Sequence, residues 1–425
     1  MTVRIALSAA LSAAVVLGGA SSASASPAAL YGIQDDAWLE HGPGTLESRL
    51  DELARMGVDV VRYTVRWDRV APKRPVTPRD PRDAAYDWWT TDAVLRGLHR
   101  HGIDPVVTLY GAPRWANGGR PPNWAPTAGQ FGDFAHAAAS RYPWARLWTI
   151  WNEPNRSQWL RPTSPRTYVE KLLNPAYAQI RSVIEGARVG GGMTAPRAGS
   201  GGISPIAWIT SMGDLGARLD AYAHHPYPSR PQTETPWGPA CDRCSSLTMA
   251  DLERLVDVVH RSLGRKRVWL TEFGYQTNPP DHYLGVSVQT QAAHVASAVR
   301  RVQVAPYVDM LIFFLFRDDA ADEGWQSGFT TVDGERKPAY AAFRFPLSRT
   351  SRRGDLVEVW GQIRPRDGPQ PYRIEILRNG RRSWLTAVRR TDPRGVLAVT
   401  VRAPAGSVVR LWSVRDRAYG SELRV

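Results

Sequence analysis

Between Leu30 and about Pro346, short apolar runs alternate with amphipathic helical patterns, and few architectures accept that alternation over so long a stretch. Leu30 to Gln34 reads as an apolar strand that stops at Asp35 and Asp36. Leu46, Leu50, Leu53 and Met56 then mark one face of a helix, which Gly57 ends. Further strand signals run from Val58 to Val65 and Ile103 to Tyr110, begin again at Leu147, and recur at Leu219 to His225, Val268 to Glu272 and Met310 to Phe316. Helical patterns fall between them, starting near Tyr86, Gln130, Pro165, Leu252 and Val286, with a closing helix from Lys337. Arg188 to Thr194, with three consecutive glycines, is a poor strand by propensity but falls where the fifth strand must lie, and glycines there permit close backbone approach. Eight strands alternating with helices predict an α/β fold, a closed parallel (β/α)8 TIM barrel over residues 26–347.

After Pro346 the period changes. Val357 to Ile363, Tyr372 to Leu377, Trp384 to Val388, Val396 to Val401 and Val408 to Val414 are short alternating strands between Gly, Pro, Asn and Asp turns. They predict a small all-β, Ig-like sandwich over residues 350–425. Trp360, Trp384 and Trp412 are expected in its core, with a binding face as the other reading. The chain carries a net charge of +14, and the stretch from Thr350 to Val425 holds 16 Arg, no Lys and 7 acidic residues. Such a tail suits attraction to an anionic cell-wall polymer or a phospholipid surface, and equally a solvated arginine-rich surface. No nucleic-acid partner is expected, and the chain is read as a monomer.

The first 25 residues stand apart. Arg4, the apolar run Ile5 to Gly19 and Ala23-Ser24-Ala25 have the form of a signal peptide with its cleavage site, so the mature protein is expected to be secreted or wall-associated. No later stretch has the roughly 18 apolar residues of a transmembrane span. Cys241 and Cys244 are expected to form a local disulfide in an exported chain; a zinc site would need further ligands, and none are nearby. Seventeen tryptophans suit a sugar-stacking cleft and a large barrel core alike.

Two stretches carry the chemistry. Leu147 to Asn155 and Val268 to Gly274 each run from an apolar strand into a glutamate, Glu153 and Glu272. The carboxyl ends of barrel strands form the catalytic face, and 119 residues of separation is about three strand-helix units, so both emerge on one rim. Two carboxyls facing one cleft are what glycoside hydrolysis requires. Arg62, Asn152, His225 and Tyr227 also lie at strand ends. A cation and a phenol beside one carboxylate keep it ionised for attack, while a carboxyl without them in an apolar cleft stays protonated for donation. Asp35, Asp36, Asp318 and Asp319 either contact sugar hydroxyls or cap helices.

These motifs resemble the retaining glycoside hydrolases of clan A, closest to the cellulase-like family five and family thirty-nine: Trp151-Asn152-Glu153-Pro154, Thr271-Glu272-Phe273-Gly274, Arg62, His225-Pro226-Tyr227 and the segment Gly328 to Tyr340. The likeness covers about Leu30 to Pro346. It implies that Glu153 is the acid/base and Glu272 the nucleophile, that Asn152 binds the sugar 2-hydroxyl, that Arg62 and Tyr227 support Glu272, and that His225 lines the cleft. One departure stands out. Many clan members end strand eight with a Trp under the sugar, where this chain has Phe314-Leu315-Phe316; Trp325, just beyond, is the candidate replacement. The expected activity is cleavage of O-glycosidic bonds in a poly- or oligosaccharide with retention, needing no metal or organic cofactor. A non-catalytic carbohydrate-binding protein on a degenerate barrel and a transglycosylase are the alternatives.

Overall fold

The computed structural model describes residues 29–320 and 324–425, so the expected signal peptide lies outside the described residues. Its first eight strands close into a ring: β1 (Leu30–Gln34), β2 (Val60–Arg66), β3 (Asp104–Tyr110), β4 (Leu147–Ile150), β5 (Arg188–Thr194), β6 (Ala221–His224), β7 (Arg267–Leu270) and β8 (Val308–Phe314). All pairs are parallel, and β1 closes on β8 in the register Leu30↔Met310 to Gln34↔Phe314. A parallel barrel buries both faces of each strand, which is why the strands read as continuous apolar runs. Val60, Val106, Leu147, Met193, Ala221, Trp269 and Ile312 fill the lumen.

The glycines of β5 make room for that filling. A Cβ at Gly190 would lie 2.7 Å from the Trp269 ring, and one at Gly192, where φ is +99°, would lie 2.3 Å from the Tyr222 ring. Close approach by two aromatics explains a strand that propensity alone disfavours.

Besides the single turn Trp67–Val70, two helices lacked a periodic signal. One, α1 (Asp36–His41), follows β1 directly and is too short to show a repeat; the Asp35 side chain caps it by accepting from the Trp38 N–H. The other, Pro205–Asp214, joins β5 to β6 and is apolar along most of its length. β4 stops at Ile150, three residues before Glu153, and the connecting turn places Trp151 at φ 70° and Glu153 at φ 34°. Left-handed backbone at non-glycine residues is costly and persists where the surroundings fix it.

The remaining chain folds as two antiparallel sheets. β9 (Leu347–Arg353), β10 (Leu356–Gln362) and β14 (Val396–Arg402) form one; β11 (Pro371–Arg378), β12 (Arg381–Trp384), β13 (Arg389–Arg390), β15 (Val408–Ser413) and β16 (Ala418–Arg424) form the other. Val357, Val359, Leu397 and Val399 meet Ile374, Ile376, Val409 and Leu411 between them, a sandwich core separate from the barrel core. The strand expected at Trp384 to Val388 is absent: Trp384 ends β12, and the chain pairs again only at Arg389. β9 went unseen in the sequence because most of its residues face solvent and are polar, which hides a period of two, and the mixed residues of β16 show no clean alternation of apolar and polar. Trp360 is buried against the barrel cluster, whereas Trp384 and Trp412 lie 6.5 Å apart on the outer face of the second sheet. Neither position is the sandwich core. Arg364 fastens the two units, its buried guanidinium stacked 4.0 Å from the Tyr31 ring and donating to the Phe343 carbonyl.

Candidate active site

Arg62 organises the carboxyl rim of the barrel. It projects inward from β2, is 1% exposed, and its planar fork reaches four other elements. Nε donates to Thr108 on β3 at 2.9 Å, Nη1 to Gln34 on β1 at 2.5 Å and to Glu272 beyond β7 at 2.5 Å, and Nη2 to Asn152 beyond β4 at 2.8 Å. One side chain thereby fixes the positions of Glu272 and Asn152 together.

Glu272 receives more support than Glu153. Its Oε2 accepts from the Tyr227 hydroxyl at 3.2 Å and lies 3.5 Å from His225 Nδ1. Burial pushes the Glu272 carboxyl up, but the charges of His225 and Arg62 and the hydrogen bonds from Arg62 and Tyr227 outweigh it and hold the group below the usual carboxylate range. Burial and the negative charges of Glu272 and Glu153 push the Tyr227 phenol well up, so it stays a donor. Glu153 has a different shell: His225 Nδ1 at 3.1 Å from Oε1 and Arg156 Nη1 at 3.9 Å from Oε2. His225 is fully buried, with Nε2 lacking a hydrogen-bond partner. Its neighbour His224 is structural, held between Thr194 and the Leu247 carbonyl and pushed down to about 3 by burial.

Among the described residues, Glu153, His225 and Glu272 are the one group of three such side chains close enough to share a cation, with one atom from each within 4.8 Å of the others. Arg62 is already seated on Glu272 and offsets the charge of that carboxylate.

The cleft above these groups encloses about 560 Å³, a volume typical of a small-ligand site. Trp325 lines it from beyond β8, its ring centroid 5.4 Å from Tyr227 and 5.4 Å, edge-on, from Phe314. Asp319 anchors Trp325 by accepting from its backbone N–H at 2.7 Å. The four aspartates now separate. Asp35 ties α1 to the end of β8 through the backbone N–H groups of Trp38, Phe316 and Arg317, and Asp318 pairs with Lys337 at 2.6 Å. Asp36 lines the cleft beside Thr64, its carboxyl pushed up to about 6 by burial. Gln34, Thr108, Arg156 and Arg197 were not singled out in the sequence; Gln34 is a polar residue closing an apolar strand, the signal expected of Arg62, which instead lies within β2.

The Cys241–Cys244 disulfide lies in the loop after β6, where Arg254 donates to both cysteine carbonyls. From that loop Pro228 and Pro231 reach the cleft.

Comparison with known proteins adds the fold class. A family of unknown function (DUF5722) matches residues 213–351, from the end of the helix before β6 into β9. No curated protein matches the sequence. Among solved structures, GH5_18 from Streptomyces cattleya in complex with GlcNAc is similar at a TM-score of 0.54 and 16% identity, covering 75% of this chain and 79% of that one. Endoglucanase Cel5A from Thermotoga maritima matches at 0.46 and 17%, covering 71% and 91%. β-Glucuronidase 2 from Bacteroides uniformis matches at 0.47 and 12% over 94% of this chain, which spans 46% of that enzyme's length. The likeness to GH5_18 is one of fold, the closed parallel barrel described above.

Proposed function

We propose that the chain is an exported retaining O-glycoside hydrolase. Glu272 attacks the anomeric carbon while Glu153 gives its proton to the leaving oxygen; Glu153 then takes a proton from water, which releases the sugar from Glu272. Asn152, oriented by Arg62, addresses the 2-hydroxyl, and Trp325 supplies an aromatic surface for the sugar ring. The observation that carries this reading is the spacing of the two glutamates, an oxygen of each within 4.8 Å of the other, beside unequal shells that keep Glu272 ionised. Double displacement uses carboxyls about 5 Å apart, whereas inversion needs room for water, about 6.5–9.5 Å.

The test is a screen of poly- and oligosaccharides followed by Glu272→Ala on whatever is cleaved. Turnover is expected to vanish and to return with azide as a glycosyl azide of inverted configuration. Unchanged turnover in Glu272→Ala overturns the assignment.

A further inference from the structure

The two halves of the cleft differ in charge. Towards β1 and β2, each lining arginine faces an acid: Arg62 pairs with Glu272, Arg66 with Asp68 at 2.8 Å, and Arg69 lies 3.8 Å from Glu40. Asp36 adds a further carboxyl on that side. Beyond Glu153 the wall is formed by Arg156, Gln158, Trp159 and Arg197, and among the described residues Glu153 is the single carboxylate lining it.

Among the described residues, neither arginine of that wall is bound up by an acid other than Glu153. Arg197 donates to Ser229 Oγ and to the Pro228 carbonyl, both neutral, and Arg156 lies 3.9 Å from Glu153. The loop after β5 is shaped to hold Arg156 in place. Gly199, at φ +68°, lies against its guanidinium, where a Cβ would come within 3.2 Å of Nη2. Partial burial and the nearby Arg156 charge push the Arg197 guanidinium below its usual range, with Glu234 and Glu153 opposing. Glu234 is turned inward, accepting from the Ser229 and Arg230 backbone N–H groups. Arg197, with neutral partners, and Arg156, whose one ion pair among the described residues is a long one to the cleft carboxylate Glu153, form a site that a second anion completes.

We propose that the wall beyond Glu153 binds the carboxylate of a uronic acid, with Arg156 and Arg197 as its ligands. The inference rests on the glycosidase reading for its place in the reaction. Glu153 protonates the leaving oxygen, so the wall on its far side faces the leaving sugar, and the substrate is an acidic polysaccharide cut on the non-reducing side of a uronate. Trp159 and Gln158 complete the subsite with a ring face and an amide.

The experiment titrates the full chain at low salt, by calorimetry, with short uronate oligosaccharides from alginate, polygalacturonate and hyaluronan, and with the same oligosaccharides after reduction of their carboxyls to alcohols. At least one acidic set is expected to bind, and to bind about ten-fold more weakly once reduced, the size of a charge-assisted hydrogen bond. Arg197→Ala and Arg156→Ala should each lose about the same factor on the acidic ligand and nothing on the reduced one, with Arg197→Lys retaining part of it. Equal affinity for acidic and reduced forms, failure of every acidic form to bind, or arginine variants indifferent to the carboxyl overturns the proposal. The acidic-against-reduced comparison uses the unaltered protein and stands if a variant does not fold. Cleavage of the same set, with and without Glu272→Ala, reports separately on the glycosidase reading: binding without Glu272-dependent turnover sinks that reading and leaves the acidic subsite in place.

Discussion

Arg62 and Glu272 form a buried ion pair across the barrel lumen, Nη1 to Oε1 at 2.5 Å, joining the middle of β2 to the turn beyond β7. Removing one partner of such a pair leaves a buried charge uncompensated, which costs about 3–5 kcal/mol. Arg62→Ala should therefore lower both stability and activity, with kcat/KM down on the order of 10³-fold. Arg62→Lys keeps the charge but loses the fork that also holds Gln34, Thr108 and Asn152, so it should recover stability better than activity. Denaturant unfolding and kcat/KM measured side by side check the split; a Lys variant with full activity refutes the positioning role.

The depressed carboxyl of Glu272 has a signed consequence for stability. Its unfolded value is near 4.3, and the folded value lies lower. A depressed acid contributes stability that is complete above the unfolded pKa and is lost as pH falls through the folded one. The difference in unfolding free energy between the native chain and Glu272→Gln should thus be constant from pH 7 to about 5 and shrink below about 4.3. Parallel curves down to pH 3 would falsify the ionised assignment.

Tyr227 donates to the other oxygen of the same carboxylate at 3.2 Å. A hydrogen bond to a charged group contributes about 1.5–3 kcal/mol, so Tyr227→Phe should reduce kcat/KM about ten- to a hundred-fold with little change in unfolding temperature. Loss of one donor also weakens the stabilisation of the ionised form. The acid limb of kcat/KM should move to higher pH in the variant, and an unmoved limb would show that the phenol serves packing alone.

The sequence was most readable where one physical constraint acted alone. Continuous apolar runs reported the buried strands, and polar residues just past those runs reported Glu153 and Glu272, whereas Arg62, expected to close its strand, lies inside β2, which continues to Arg66. The short helix α1 and the polar edge strand β9 left no period to read. Asp35 and Asp36 are adjacent and chemically alike, and only the start of α1 between β1 and β2 sends one into a cap and the other into the cleft. Arg156 and Arg197 sit in loops, where spacing in the chain says nothing about separation in space.

In β5 two constraints conflicted, strand propensity against room for Trp269, and the tryptophan prevailed. Gly190→Val places atoms where the indole lies, since even a Cβ would be 2.7 Å from it. Overpacking of this kind costs about 1–3 kcal/mol. A matched control is Gly129→Ala, in the helix Ala128–Arg141, whose added Cβ meets nothing within 4 Å and should be neutral or slightly stabilising. Thermal unfolding should separate the two substitutions by several degrees, and equal midpoints would show that the lumen yields around Trp269.

Trp325 offers the last prediction, because its place in the cleft depends on Asp319. Phe314 meets the indole edge-on and Tyr227 lies against it, yet the ring is 41% exposed and open to a ligand on the cleft side. Asp319 accepts from the Trp325 N–H, while its own N–H donates to the Trp325 carbonyl. Trp325→Ala removes the stacking surface and should raise KM and lower kcat/KM about ten-fold or more, given about 1–3 kcal/mol for stacking on an aromatic face. Asp319→Ala leaves the indole in the chain but removes the carboxylate that accepts from its N–H, so it should weaken kcat/KM by less and leave unfolding nearly unchanged. A Trp325→Phe variant that restores most of the loss identifies the ring face as the source of the effect. If Trp325→Ala turns over as fast as the native chain, the indole is not the floor of the proposed sugar site.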